Sequence, residues 1–350
     1  EPPPPAALMD AYSVRAQVLS PLVEDSRVTG WISVHETRGR RHWTAHELAA
    51  IRDATRAIID ARREQPEQEE QMSTIEAQGT MIEVNGANLW HRITGEGEPV
   101  VQIHGAGFGH FNLDPVTPIV NEHFKVIDYD QRGYGQSDKP DQHYDMEVWA
   151  DDAIGLMDAL EIETAHIHGS SMGGMIAIVV AGKYPDRTRS AVINCAAAKL
   201  GLAGQLIFRN WIDLARNDPD GPGSRTLAEL IAWQAVNIEF LENNPDVVDQ
   251  IQQILTDSNE VGPYTAACQA MIEMDLTPWL GKIKAPSLVI GGDQDIMTPW
   301  DQGPNGVGQE GIYQGIEGAE KYVIKGAGHS TIFDATDEYG QAVLDFLQRN

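Results

Sequence analysis

Residues 167–177, IHGSSMGGMIA, constrain this chain more than any other stretch. Residues 164–168 read as a short strand and residues 175–181 as an apolar helix, so the backbone must turn from strand to helix around Ser171. Such a turn holds its central residue at strained φ/ψ, and a side chain two positions to either side would meet the neighbouring strand or helix. Gly169, Gly173 and Gly174 supply the small flanks. The arrangement presents the Ser171 hydroxyl at the end of a sheet, where it can act as a nucleophile.

Three other stretches are read by whether they can serve that hydroxyl. After the strand VVQIH come Gly105, Ala106, Gly107 and Phe108, small enough for backbone N–H groups to approach a ligand. A tetrahedral intermediate needs two fixed N–H donors, assigned here to Ala106 and to Met172, the residue after the serine. His104 is read as structural, holding this loop by hydrogen bonds. In PSLVIGGDQDIMTP an apolar strand is followed by Asp293 and Asp295, and an acid there can orient a histidine and stabilise its cation. Asp295 is favoured, with Asp293 as a turn residue. In KYVIKGAGHST, His329 follows a strand and a glycine turn, where it can take the serine proton and return it to a leaving group. His168, inside the strand before the turn, is expected to point away from the cleft.

The 350 residues suffice for one large domain or two smaller ones, and 42% hydrophobic content marks a globular chain. A net charge of -27 opposes binding to nucleic acid or anionic membrane, and an anionic substrate would need a local cation. No apolar run is long enough to span a bilayer, and no secretory pattern is visible, so a cytoplasmic location is expected. Cys195 and Cys268 lie in small or apolar contexts and read as buried, reduced thiols. His104 and His110 lack metal-ligand spacing, and no P-loop or dinucleotide fingerprint is present, so neither metal nor cofactor is expected.

The polar stretch ARREQPEQEEQM divides the chain into residues 1–60, a linker at 61–72, and a large domain at 73–350. The first part holds an amphipathic run at 12–22, a strand candidate at 30–36 and a helix candidate at 44–62, the last with a Thr44/Glu47 capping box. Through PLVEDSRVTGWISVHETRGRRHWTAHELAAIRDATRAI, residues 21–58 resemble the C-terminal part of a GAF domain. Lacking the upstream strands of such a domain, this segment is read as docking on the larger domain or pairing with another chain, which would give a homo-oligomer. Because Met72 resembles a natural start, residues 1–71 are read as an appended remnant. In the large domain, strands are predicted at 81–85, 89–93, 99–103, 124–128, 164–168, 190–194, 286–290 and 321–324. Helices are predicted at 147–160 and 173–183, giving an α/β fold with a mostly parallel sheet. Residues 199–280 contain only helical runs, at 204–216, 227–242, 246–256 and 265–272, and read as a helical cap. Within it Phe208, Trp211, Trp233 and Phe240 are candidates for an apolar substrate pocket. Arg209, Arg216 and Arg225 are candidates for holding a substrate carboxylate.

The order Ser171, Asp295, His329, with the elbow and the D-x-R-G-x-G-x-S pattern in VIDYDQRGYGQSD, resembles the α/β-hydrolase superfamily over nearly all of residues 80–350. Within it the chain is most similar to 3-oxoadipate enol-lactonases, through GSSMGGMIA, AAKLG at 197–201, GPYTAACQAMIEMDLTPWL at 262–280 and IKAPSLVIGGDQDIMTP. The loop at His104 and Gly105, the turn at 328–330 and the six glycines within 301–318 depart from that pattern. The resemblance implies a serine hydrolase of a small carboxylic ester or lactone, working through an acyl-enzyme. The alternatives are a carbon–carbon bond hydrolase or cofactor-free perhydrolase with the same triad, and, from another class, a noncatalytic ligand sensor. A dehalogenase or epoxide hydrolase is disfavoured, because aspartate usually stands at the serine position in those enzymes.

Overall fold

The computed structural model describes residues 16–24, 27–36 and 79–350. The chain divides into two compact units, Glu1–Gln78 and Gly79–Asn350. In the first, β1 (Ala16–Glu24) and β2 (Arg27–Glu36) pair antiparallel, with an irregularity at Leu22/Val23. The strand expected at 30–36 is thus the end of β2, and most of the amphipathic run at 12–22 is β1. The helix expected at 44–62 and the linker at 61–72 lie outside the described residues.

The second unit is built on an eight-stranded sheet in the order β10-β9-β8-β7-β5-β6-β4-β3. Its strands are β3 (Thr80–Val84), β4 (Ala87–Thr94), β5 (Pro99–Ile103), β6 (Lys125–Tyr129), β7 (Ala165–Ser170), β8 (Thr188–Asn194), β9 (Ser287–Gly292) and β10 (Glu320–Ile324). β3, β4 and β6 pair antiparallel, and the remaining pairs are parallel. Asn85 and Gly86, both at positive φ, make the two-residue turn between β3 and β4 that the right-handed strand twist favours. β7 and β9 are buried along their whole length, as parallel strands covered on both faces must be.

Helix α1 (Met146–Ala159) begins where the Asp145 carboxylate accepts from the Val148 N–H at 2.8 Å. Helix α2 (Met172–Lys183) is apolar all round and, apart from its last residue, buried, which suits a helix packed under other helices. The core on its face of the sheet continues into a helical layer of α3 (Leu202–Asn217), α4 (Arg225–Ala235), α5 (Ile238–Asn243), α6 (Val247–Ser258) and α7 (Val261–Glu273). A second apolar cluster on the other face includes Tyr339, Val343 and Phe346 from α8 (Thr336–Leu347).

The run predicted as one helix at 227–242 is two. It breaks at Val236 and Asn237, where the Asn237 side chain caps α5 by accepting from Phe240 N–H at 2.7 Å. The break also frees backbone groups to meet the histidine turn: Ser330 N–H donates to Ala235 O at 2.7 Å, and Asn237 N–H donates to the Asp334 carboxylate at 3.2 Å. The glycine-rich stretch before β10 retains a helix of only seven residues, Gln309–Gly315. Strand order reverses at β5, whose neighbours are β6 on one side and β7 on the other. The loops leaving β5 and β7 therefore meet at the carboxyl edge of the sheet, where open α/β sheets place their ligands.

Candidate active site

Ser171 stands between β7 and α2 at φ 56° and ψ -118°, a positive φ that residues with side chains avoid. Backbone contact enforces the turn. A Cβ at Gly169 would come 2.1 Å from Gly173 O, and one at Gly173 would come 1.9 Å from Ile103 O. The glycines let β7, α2 and β5 approach until only backbone fits, and Ser171 N–H is tied to Asn194 O on β8 at 2.9 Å.

Ser171, His329 and Asp295 form one hydrogen-bonded chain. His329 Nε2 lies 2.9 Å from Ser171 Oγ, and His329 Nδ1 lies 3.0 and 3.1 Å from the Asp295 carboxylate oxygens. Asp295 is 4% exposed, so its charge must be met inside the protein. Met297 and Thr298 donate their N–H groups to Oδ1, and the Gln309 amide donates to Oδ2. Burial alone would raise the Asp295 pKa; the His329 charge and these hydrogen bonds outweigh it and hold the carboxyl below its ordinary range. Thr298 Oγ donates to Cys195 O at 2.6 Å and lies 3.1 Å from His329 Nδ1. Asp293 accepts from Gly326 N–H at 2.7 Å in a turn and does not touch the histidine.

On the other side of the serine, a Cβ at Gly105 would lie 3.3 Å from Ser171 Cβ. Gly105 N–H donates to Asn112 Oδ1 at 3.0 Å. His104 accepts from Gln131 N–H through Nε2 at 3.0 Å, so Nδ1 carries the proton donated to Gly105 O at 2.8 Å. Burial lowers its pKa to about 4, against the pull of Asp130, and keeps it neutral as a brace of the loop. Ala106 borders the cleft, and Met172 supplies the first N–H of α2, which has no acceptor within the helix. His168 faces away from the cleft, bonded to Gln102 and Tyr339, and burial lowers its pKa to about 3.

The serine opens into a cleft of about 480 Å³, its mouth included. Phe208 and Trp211 of α3 line it, meeting edge to face at 5.0 Å, and Trp211 is fixed by its Nε1 donating to Gln234. Ile231, Met297, Ile332 and Phe333 complete the apolar wall, with Asn112, Ser170 and Ser330 as polar points. Two aromatic candidates fall elsewhere. Trp233 is 61% exposed on the outer face of α4, because its neighbours Ile231 and Ala235 take the inward face. Phe240 packs half-buried against the core and does not line the cleft. Nor do the arginines: Arg209 and Arg216 are exposed, and Arg225 pairs with Glu229 and Asp249 on the surface.

A thiol also lies close by. Cys195 Sγ and donor atoms of Asp295 and His329 all fall within 4.8 Å of one another, a trio compact enough to hold a metal ion that sequence spacing could not reveal. An ion there would take His329 Nδ1 from Asp295. As nucleophiles the two side chains are not equivalent, since Ser171 meets Nε2 at the cleft whereas Cys195 is fully buried and does not line it. Burial, then the Asp295 charge, push the Cys195 thiol well above its ordinary pKa, and a thiol attacks only as the thiolate. Cys268 is likewise free and buried.

Residues 98–336 match the family described as alpha/beta hydrolase fold. The chain belongs to that family. A 3-oxoadipate enol-lactonase of Acinetobacter baylyi is 34% identical over 173 residues, covering 49% of this chain and 62% of that enzyme. A 2-hydroxy-6-oxo-6-phenylhexa-2,4-dienoate hydrolase of Comamonas testosteroni is 28% identical over 276 residues, covering 73% of this chain and 89% of the other. The crystal structure of an enol-lactonase from Burkholderia xenovorans superposes with a TM-score of 0.70 at 28% identity, over 77% of this chain and all of that one. The relatives of this member of the α/β-hydrolase family thus include proteins named as enol-lactonases and one named as a 2-hydroxy-6-oxo-6-phenylhexa-2,4-dienoate hydrolase. The GAF-like resemblance of residues 21–58 finds no counterpart in these similarities. No helix among the described residues is long and apolar enough to cross a membrane.

Proposed function

We propose that the protein is a serine hydrolase that cleaves a small, uncharged carboxylic ester or lactone. The observation that carries this is the Ser171–His329–Asp295 chain opening onto an apolar cleft with no lysine or arginine in its wall among the described residues. The Ser171 hydroxyl proton passes to His329 Nε2 as Oγ attacks the carbonyl carbon. The new oxyanion accepts hydrogen bonds from Ala106 N–H and Met172 N–H. As the intermediate collapses, the leaving oxygen takes the proton from His329, and the acyl group stays on Ser171. Water then attacks the acyl carbon while giving a proton to His329, which returns it to Ser171 Oγ as the acid leaves. Asp295 remains ionised throughout, balancing the imidazolium.

The carbon–carbon reading has support of its own, and the long matches lean toward it. Several relatives covering most of this chain are named for hydrolysis of 2-hydroxy-6-oxo acids, which carry no ester bond. There a carbon must leave, so the substrate must spread the resulting charge, and its carboxylate would need a cation. The cleft wall offers none, in a chain of net charge -27, which favours the neutral ester.

A panel of short neutral p-nitrophenyl esters, lactones and a 2-hydroxy-6-oxo dienoate separates the two. Faster turnover of the dienoate than of every ester would overturn the main reading. Ser171→Ala should abolish turnover and labelling by a phosphonate, while Cys195→Ala should retain both. The reverse pattern would move the nucleophile to the thiol. Tight binding of esters with no turnover of any would leave a ligand sensor.

A further inference from the structure

The loop after β6, residues 130–137, supplies no reacting group to the chemistry outlined above, yet it grips the loop after β5 at several points. Gln131 donates its backbone N–H to His104 Nε2 and its amide to His104 O, at 3.0 and 2.6 Å. Asp130 Oδ1 accepts from both the backbone N–H and Nδ1 of His110, at 2.7 and 2.9 Å. The cap closes on the same region, with Asn259 donating to Gly107 O at 2.9 Å and Gly135 N–H donating to Ser258 O.

Tyr134 lies at the centre of this clasp and is 1% exposed. Its ring meets the His104 ring edge-on at 5.3 Å, and its hydroxyl donates to Met172 Sδ at 3.7 Å. Burial, then the nearby Cys268, push the phenol well above its ordinary pKa, so the hydroxyl keeps its proton. Tyr134 thus packs its ring on His104 of the 104–107 loop while its hydroxyl holds the side chain of Met172. A phenylalanine would fill the same space without the cost of burying a hydroxyl. Tyr264, also fully buried beside Gly107, shows the contrast, since its hydroxyl has no partner.

We propose that the Tyr134 hydroxyl is a positioning group of the oxyanion site. By tying the Met172 side chain to a ring packed on His104, it fixes the separation of the Ala106 and Met172 N–H groups. This rests on Ser171 being the nucleophile and on those two groups being the oxyanion donors. A hydroxyl acting this way touches no substrate, so its loss acts on the tetrahedral state and spares ground-state binding.

The test is Tyr134→Phe in the full chain, with a short-chain p-nitrophenyl ester as substrate and an alkylboronic acid as tetrahedral mimic. The expected result is a kcat lowered about 10-fold, below the cost of removing an oxyanion donor outright. KM should stay within about twofold, boronate affinity should weaken by the same factor as kcat, and Tm should be nearly unchanged. Tyr264→Phe, which removes the unpartnered hydroxyl, should leave kcat and boronate affinity as in the wild type. Met172→Leu removes the sulfur and should lower kcat in the same way, adding nothing to Tyr134→Phe in the double variant. Unchanged kcat and boronate affinity in Tyr134→Phe, an equal loss in Tyr264→Phe, or additive single effects would each overturn the inference. If Tyr134→Phe does not fold, the kcat and boronate affinity of Met172→Leu decide. Turnover surviving in Ser171→Ala removes the serine reading itself, whereas a dead Ser171→Ala beside an unaffected Tyr134→Phe removes only the role of Tyr134.

Discussion

The floor and the roof of the cleft are built on opposite plans. The floor is backbone: Gly105, Gly169 and Gly173 let β5, β7 and α2 approach closely around Ser171, and the Gly105 and Ser171 N–H groups are both hydrogen-bonded. The roof is side chain: Phe208, Trp211 and Ile231 project from helices whose outer faces leave Leu206 and Trp233 in solvent. A backbone-built floor tolerates almost no variation, while a helical roof can change its lining one residue at a time. On the proposed function, the first would hold the reaction chemistry and the second the choice of substrate.

The sharpest way to break this contrast is to add one methyl group to the floor. Gly173→Ala would set a Cβ 1.9 Å from Ile103 O, and it should reduce esterase activity to the level of Ser171→Ala or prevent folding, as activity and circular dichroism together would record. Asp295→Ala should lower kcat by about 10⁴-fold, because the histidine loses its orienting charge. Asp293→Ala, in a turn, should stay within about twofold, and equal losses in the two would break the assignment of the acid.

The floor also predicts an acid sensitivity. His104 and His168 are buried with pKa values lowered to about 4 and about 3, from an ordinary 6.5. Below 6.5 the unfolded chain takes up protons that the folded chain refuses, so stability rises with pH through this window. The contribution is complete above 6.5 and is lost as the pH falls toward the folded values. Urea midpoints at pH 7 and pH 4.5 should differ clearly in the wild type and less in His104→Asn, whose side chain cannot titrate. On the roof, Trp211→Ala should shift preference toward bulkier esters by about 10-fold in kcat/KM ratio, roughly the discrimination of a methylene or two. Trp233→Ala, on the outer face, should leave that ratio unchanged, and a shift equal to that of Trp211→Ala would mean that the cleft extends further than its present wall.

The same contrast explains what could be read from the sequence. β5 is found at 99–103 as expected and the other seven strands of the large sheet begin and end within two residues of their predicted positions, because continuous apolar runs between turns leave few alternatives. Ser171, Asp295 and His329 are legible because each follows a strand at a turn, where local chemistry marks the position. Asn112, Gln131, Thr298 and Gln309 are not, since each has its role through a partner brought near only by the fold. The roof is the least legible part. Helical spacing places apolar residues on a face but does not say which face turns inward, so Phe208 and Trp211 were separable from Trp233 and Phe240 only in three dimensions. The break at Asn237 escaped because an isolated asparagine in an apolar run carries little local signal until Gly326 and Asp334 stand opposite it.

That break joins selection to proton transfer. Ser330 bonds to Ala235, Asn237 to Gly326 and Asp334, and Gly328 to Asp334 at 2.6 Å, so the segment carrying His329 is bolted to the end of α4. On the proposed mechanism, the helix that would face the acyl group is therefore tied directly to the turn that carries the general base. Remodelling the roof near Ala235 to admit a larger substrate therefore also retunes the base, and a widened variant should betray itself in the shape of its pH–rate curve as well as in the substrates it accepts.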